Sequence, residues 1–148
     1  MQVRDIMTSD PACCTPDASL VEVARMMVDY DCGEIPVVES QDNKKPVGVV
    51  TDRDIVVRTL GARLDPTDMT AGEVMSTPVV TVTPDTSFED CKRVLEEKQI
   101  RRVPVVDENG AVVGIVALAD ITRYATGADA GEVLQEVSVD IGAPSNTF

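Results

Sequence analysis

One long pattern occurs twice in this chain, and that tandem repeat limits the folds open to it. Residues 7–58 contain Met, Pro-Asp-x-Ser, an amphipathic stretch, Ile-Pro-Val-Val and Gly-Val-Val-Thr-Asp-Arg-Asp-Ile. Residues 75–124 repeat that order, with Val-Pro-Val-Val and Gly-Ile-Val-Ala-Leu-Ala-Asp-Ile. Neither half is long enough to bury a large core alone. The repeat therefore predicts two similar units packed about a pseudo-twofold axis.

Each copy has the same predicted order of elements. A short apolar segment (12–14 or 79–82) reads as a strand, and Ser19 or Ser87 then caps a helix that carries an apolar stripe. Two β-type runs separated by a polar loop follow, and a second helix ends the unit. The predicted fold class is therefore a mixed α+β fold built from two β-α-β-β-α repeats. The predicted boundaries are 1–62 for the first repeat, 63–70 for a linker, 71–126 for the second repeat and 127–148 for a C-terminal extension.

Composition and charge exclude several classes of partner. The chain of 148 residues has 26 acidic and 13 basic side chains, a formal net charge of −13. Nucleic-acid binding needs clustered Lys and Arg, and an anionic membrane would repel this surface, so neither partner is expected. The stretch Met1–Asp10 is polar, and no apolar run approaches the ~18 residues of a membrane span. These features predict a cytoplasmic protein.

The chain also offers few groups for catalysis or for metal binding. It has no His, so it has no ready general base near neutral pH, and no glycine-rich phosphate loop of the common types is present. Its four cysteines show no Cys-x-x-Cys spacing. We therefore expect no enzyme activity, no metal site and no obligatory cofactor. Most of the cysteines are interpreted as small buried apolar residues, with a redox switch as the alternative.

The most specific local feature is the segment from Gly48 to Asp54, where a strand runs into a helix. Thr51 brings a hydroxyl to the helix start, Arg53 brings a planar cation suited to phosphate, and Asp54 brings an acceptor for the two hydroxyls of a ribose. Together these groups suit the phosphate and sugar of a nucleotide. The alternative is that Thr51 and Asp54 only cap the helix.

The second copy of this segment, Gly114 to Asp120, keeps the glycine and the aspartate. It has Ala117 in place of the hydroxyl and Ala119 in place of the cation, so two equal sites are not expected. Arg102, in an adjacent Arg pair, either meets a phosphate or pairs with surface carboxylates.

These residues resemble a tandem pair of cystathionine-β-synthase-type (CBS) domains, of the kind found in small hypoxic-response-type proteins. The resemblance covers about 3–125 and implies a sensor that binds AMP, ADP, ATP or S-adenosylmethionine in a cleft between the repeats. It implies that Asp54 binds the ribose while Thr51 and Arg53 bind phosphate. It also implies a homodimer that signals to an unknown protein partner by conformational change or association.

The same resemblance implies a base pocket and a second, mirrored site. The base pocket would be lined by Val79, Val80 and Thr81, with Arg102 near the phosphate. The mirrored site would use Asp120 with Ala12 and Cys13. The alternative function is a ligand-free interaction protein with degenerate clefts, which the alanine at position 117 favours.

Overall fold

The computed structural model describes residues 1–126, so the predicted C-terminal extension at 127–148 lies outside the described residues. Helices and strands are mixed along the chain, and the predicted fold class is confirmed. The helices are α1 (Leu20–Tyr30), α2 (Asp52–Arg58), α3 (Ala71–Val74), α4 (Phe88–Lys98) and α5 (Leu118–Thr126). The strands are β1 (Thr8–Ser9), β2 (Glu34–Val38), β3 (Pro46–Thr51), β4 (Arg102–Val106) and β5 (Val112–Ala117).

The chain forms two compact units that do not coincide with the two repeats. Within the described residues, one unit contains Met1–Asp10, Val80–Asn109 and 113–126. The other contains Pro11–Val79 and Gly110–Val112. Each unit thus combines the sheet and helices of one repeat with the segment that precedes the first predicted strand of the other.

The Pro11–Val79 unit has an aliphatic core, as the low aromatic content indicates. Strands β2 and β3 pair antiparallel, with Ile35 opposite Val50. Helix α1 begins where the Ser19 hydroxyl accepts the Glu22 N–H at 3.1 Å, which confirms the predicted cap. The fully enclosed side chains of this core include Leu20, Val23, Ile35, Val37, Val50, Ala71 and Val74.

The second unit is built in the same way around α4, β4 and β5. Ser87 caps α4 by accepting the Asp90 N–H at 3.1 Å, again as predicted. Strand β5 lies between β1 and β4, and β1 pairs with it antiparallel. The buried cluster here includes Val3, Cys91, Leu95, Val103, Val105, Val116 and Ile121.

The predicted first strands of the repeats, at 12–14 and 79–82, are wrong as strands. Each is a single parallel bridge, between Cys14 and Val37 in one unit and between Val82 and Val105 in the other. Continuing the first bridge toward residue 12 would need a backbone N–H on the residue before Val37. That residue is Pro36, which has none, and Pro104 interrupts the second bridge in the same way.

Gly48 lies where β3 meets the segment that follows α3. A Cβ placed on Gly48 would come within 2.7 Å of the Met75 Sδ and 3.0 Å of the Ser76 carbonyl oxygen. That carbonyl cannot move aside freely, because it accepts the Val49 N–H while the Ser76 N–H bonds the Val49 carbonyl at 2.8 Å. Glycine is therefore required at position 48 by the close approach of two backbones.

We expect Gly48→Ala to lower the free energy of unfolding by about 1 to 3 kcal/mol, the usual effect of an overpacked site. Urea denaturation followed by circular dichroism measures this loss. Gly61→Ala is the matched control, since a Cβ at Gly61 meets only the Val56 carbonyl at 3.5 Å, an ordinary contact. Equal stability of the two variants would contradict the proposed packing at Gly48.

Candidate functional site

The junction of β3 and α2 is held by a reciprocal pair of hydrogen bonds. The Asp54 N–H donates to the Thr51 hydroxyl at 3.0 Å, and the Thr51 N–H donates to the Asp54 carboxylate at 3.1 Å. This arrangement satisfies two backbone donors that the start of a helix leaves without intrahelical partners. The capping role considered for Thr51 and Asp54 is therefore real. A carboxylate still has further acceptor positions beyond the cap.

Asp54 also contacts two side chains that sequence analysis did not single out. The Ser76 hydroxyl lies 3.1 Å from both Asp54 carboxylate oxygens. The Arg58 Nε lies 3.7 Å from Asp54 Oδ1, and the Asp54 side chain is only 13% exposed. We call these three residues the Asp54 cluster.

Arg58 connects the Asp54 cluster to the backbone of the segment after α3. Its guanidinium donates to the Met75 carbonyl at 3.1 Å and lies 3.4 Å from the Ser76 hydroxyl. One sequence signal for Arg58 existed, because an Asp and an Arg four residues apart on a helix are neighbours. Ser76 gave a weaker signal: it follows Met75 as Thr8 follows Met7, so a hydroxyl takes the same place before each repeat.

Arg53 differs from Arg58 in its surroundings. Its side chain is exposed, and its backbone N–H bonds the Asp52 carboxylate at 2.8 Å. Within the described part of the chain, no carboxylate forms an ion pair with its guanidinium. The cation at position 53 thus remains free to meet an anion.

The corresponding aspartate of the second repeat has different partners. Asp120 lies in the first turn of α5, its side chain is 25% exposed, and the Arg123 guanidinium donates to it at 2.6 Å. Ala117 offers no hydroxyl for a cap of the kind that Thr51 provides. The two aspartates therefore have different chemical surroundings, and the ranking of their sites stays a prediction.

The remaining predicted site residues are divided between the two units. Ala12, Cys13 and Val79 belong to the unit that holds Thr51, Arg53 and Asp54. Cys13 is buried, and the other two are half-buried. Val80, Thr81, Arg102 and Asp120 belong to the other unit, and all four are half-buried there.

Two of the cysteines are held as thiols by burial. Desolvation raises the pKa of Cys14 to about 12 and that of Cys91 to about 11. The thiolate is the reactive form, so neither side chain is reactive near neutral pH. This favours the interpretation of these two cysteines as apolar core residues.

We expect Cys14 and Cys91 to resist a thiol reagent at pH 8 until the protein unfolds, because burial opposes formation of the thiolate. The measurement is the number of thiols labelled by a chromogenic disulfide reagent in the native protein. The double variant Cys14→Ala, Cys91→Ala should give the same native count and a lower count in denaturant. A smaller native count in the variant would contradict the expectation.

Residues 1–126 contain neither a metal-binding cluster nor a membrane-spanning helix. No group of three or more Cys, Asp or Glu side chains there is placed to hold a metal ion, and the whole chain lacks His. In the same residues no helix has the length and apolar character needed to cross a membrane.

Comparison with known sequences identifies the repeat. The CBS domain family matches residues 3–60 and 71–127. A CBS domain-containing protein of Bacillus subtilis is 39% identical over 137 residues, which cover 92% of this chain and 94% of that protein. Hypoxic response protein 1 of Mycobacterium tuberculosis is 40% identical over 121 residues, 82% of each chain. An uncharacterized protein of Methanopyrus kandleri is 34% identical, and this chain spans 58% of its length.

Solved structures with the same fold contain different bound groups. The structure of Hypoxic Response Protein I, with two coordinated zinc ions, has a TM-score of 0.74 at 39% identity and covers 84% of this chain and 98% of that one. The CBS domain pair of MJ0100, with 5′-methylthioadenosine and S-adenosyl-L-methionine, has a TM-score of 0.76 at 28% identity and covers 86% and 98%. CBSX2 in complex with AMP has a TM-score of 0.71 at 29% identity, with coverage of 86% and 98%.

A match to an enzyme concerns a small part of that enzyme. Inosine-5′-monophosphate dehydrogenase of Streptococcus pyogenes is 29% identical over 145 residues, which amount to 28% of its length. The match therefore brings no catalytic assignment to this chain.

The zinc ions of Hypoxic Response Protein I have no matching ligand set in the described residues. Zinc sites in proteins are built mainly from Cys and His, usually four ligands in a tetrahedron. Here the thiols of Cys14 and Cys91 belong to separate hydrophobic clusters. The side chains of residues 1–126 therefore do not fit a zinc centre.

We expect purified protein to contain no stoichiometric zinc, and we expect added zinc to leave its melting temperature unchanged, since a metal that binds only the folded state would raise it. Elemental analysis and a thermal shift with and without a chelator measure both quantities. Hypoxic response protein 1 is the positive control. A zinc-dependent rise in melting temperature would contradict this expectation.

Proposed function

The chain belongs to the CBS domain family as a CBS-pair regulatory module, and we propose that it binds an adenosyl compound and responds by a change in conformation or association. The proposal concerns AMP, ADP, ATP or S-adenosylmethionine as the regulatory ligand. It places the ribose of that ligand at Asp54.

One observation carries the proposal: the Asp54 carboxylate is largely enclosed and already accepts a hydroxyl, that of Ser76. A carboxylate held by a helix cap and an Arg is a fixed, charged acceptor, and such acceptors form the stronger hydrogen bonds to hydroxyl groups. The ribose of an adenosyl ligand brings two vicinal hydroxyls. The site is thus suited chemically to a sugar diol.

The ligands bound by the structural relatives have one part in common, the adenosine-type base and sugar. AMP, S-adenosyl-L-methionine and 5′-methylthioadenosine share adenine and ribose, whereas AMP alone among them has a phosphate. A site that selects adenosyl compounds therefore has to recognise the base and the sugar, which all three ligands contain. Asp54 serves the sugar, and we propose that Val79, Val80 and Thr81 line the base.

The other proposed contacts follow from charge. Thr51 and Arg53 would bind a phosphate, if the ligand has one, because a free guanidinium suits that group. Arg102 would add a second cation. Asp120 with Ala12 and Cys13 would form the weaker site, whose phosphate contact lacks a hydroxyl at Ala117.

We expect Asp54→Asn to weaken AMP binding by about tenfold or more, because a charged hydrogen bond to the ribose is worth roughly 1.5 to 3 kcal/mol. Asparagine keeps one oxygen that can accept the Thr51 N–H, so the helix cap is preserved better than in Asp54→Ala. Isothermal titration calorimetry measures the affinity.

Asp120→Asn is the matched control for this prediction. We expect a much smaller loss of affinity than in Asp54→Asn, and urea denaturation should show both variants folded. Equal losses in the two variants would contradict the ranking of the sites. Unchanged AMP affinity in Asp54→Asn would show that the ribose does not bind at Asp54.

A ligand-free interaction protein is the second candidate, favoured by apolar side chains exposed on and after α2. Val56, Val57, Leu60 and Leu64 are each about half exposed or more. Exposed apolar patches of this kind are typical of protein–protein contacts. We propose that a second copy of the chain covers these residues in a homodimer, with or without a ligand.

We expect Leu60→Glu to shift the protein from dimer to monomer, because a charge would be buried at the contact. Light scattering after gel filtration measures the mass. Val28→Glu on α1, also an exposed apolar position, is the control and should leave the mass unchanged. A monomeric wild-type protein would reject the homodimer.

A further inference from the structure

Ser76 stands out because its hydroxyl lies where a ligand hydroxyl would have to approach Asp54. It contacts both carboxylate oxygens at 3.1 Å. The cap from the Thr51 N–H and the nearby Arg58 guanidinium approach the same carboxylate. With the side chain only 13% exposed, little of the carboxylate remains open to another donor.

The Ser76 hydroxyl and a ligand hydroxyl would compete for the same acceptor, the Asp54 carboxylate, and they are chemically equivalent. A serine hydroxyl and a ribose hydroxyl are both neutral alcohols that donate one O–H to a carboxylate. The cap from Thr51 is part of the helix start and is retained when a ligand binds. The Ser76 bond is the one that a ligand can replace without loss of secondary structure.

We infer that Ser76 is an internal competitor for the ribose position on Asp54, so that an adenosyl ligand binds by exchanging the Ser76 hydroxyl for a hydroxyl of its sugar. This inference rests on the proposed function and adds a residue that sets the affinity of the same site. Ser76 is thus an affinity-determining residue at this site.

Arg58 determines what the exchange does to the neighbouring backbone. It donates to the Met75 carbonyl at 3.1 Å and also approaches Asp54. While Ser76 is bound, both residues of the segment after α3 are therefore tied to α2. After the exchange the segment loses one of its side-chain ties to α2 and keeps the Arg58 bond and the Val49–Ser76 backbone bridge. This segment leads along the chain to Val79.

The second repeat provides a natural comparison. Thr8 lies opposite Ile115 in β5, as Ser76 lies opposite Val49 in β3. The Thr8 side chain is exposed, and no hydrogen bond joins it to Asp120 in the described residues, where Arg123 is bonded to that carboxylate instead. The competitor is therefore a property of the Asp54 site and not of every copy of the fold.

The test compares Ser76→Ala with Thr8→Ala by calorimetry, with AMP and 2′,3′-dideoxy-AMP as the probes. Removal of the competitor should tighten AMP binding roughly tenfold or more, the net effect of one hydroxyl bond to a charged group. The dideoxy compound has no sugar hydroxyls to take the vacated place, so it should show no gain. Thr8→Ala should leave both affinities unchanged.

Ser76→Thr keeps a hydroxyl and should bind AMP as the wild-type protein does. This variant separates the hydroxyl from any effect of side-chain size. If Ser76→Ala proves too unstable to titrate, Ser76→Cys replaces it; a thiol donates a weaker hydrogen bond than a hydroxyl, so this variant should show a smaller gain in affinity.

Three results would overturn the inference. The first is weaker AMP binding by Ser76→Ala, which would make Ser76 a direct ligand contact. The second is unchanged AMP binding by Ser76→Ala. The third is an equal gain in affinity for AMP and for the dideoxy compound, which would indicate a general loosening of the segment. If neither the wild-type protein nor Ser76→Ala binds AMP, S-adenosylmethionine or 5′-methylthioadenosine, the proposed function itself fails and the inference with it. Binding by the wild-type protein therefore distinguishes the two failures.

Discussion

The carboxylate of Asp54 joins three segments that are distant in sequence or differ in structure. It closes the cap between β3 and α2 through Thr51, it faces Arg58 in the last turn of α2, and it accepts the hydroxyl of Ser76 after α3. An enclosed carboxylate is stable only when its charge and lone pairs have partners. The local structure at the β3–α2 junction therefore depends on this one group.

The apolar periodicity and the tandem repeat were sufficient to predict the longer helices from the sequence. The apolar stripe from Leu20 and the serine before it located α1, and the equivalent stripe located α4, because burial and capping both act within one turn of a helix. Bridges at Cys14 and Val82 were predicted as strands because apolar sequence does not reveal what the partner strand can donate. Pro36 and Pro104 lack the N–H groups that a longer ladder would need, so each pairing stays a single bridge. The effect of these prolines can be recognised only once the partner residues are known.

The candidate site divides in the same way between local and distant contacts. Thr51, Arg53 and Asp54 are close in sequence, so their chemistry could be predicted from the motif. Ser76 is 22 positions from Asp54 in the chain, and only the fold brings its hydroxyl to the carboxylate. The β1 strand at Thr8 and the single turn of α3 escaped prediction because two to four residues give no reliable period.

The two repeats separate what the fold requires from what a ligand requires. A Cβ placed on either Gly48 or Gly114 would meet a methionine sulfur and a backbone carbonyl oxygen, at 2.7 and 3.0 Å for Gly48 and at 2.6 and 3.1 Å for Gly114. This contact is the same in both units because the backbones could not otherwise approach. The hydroxyl of Thr51 and the cation of Arg53 are not shared in this way. Their counterparts in the second repeat are Ala117 and Ala119, and α5 still forms there. In the first repeat the Thr51 hydroxyl still caps α2, whereas the exposed Arg53 guanidinium has no ion pair within residues 1–126. The cation at position 53 is therefore the feature of this segment that helix capping does not explain.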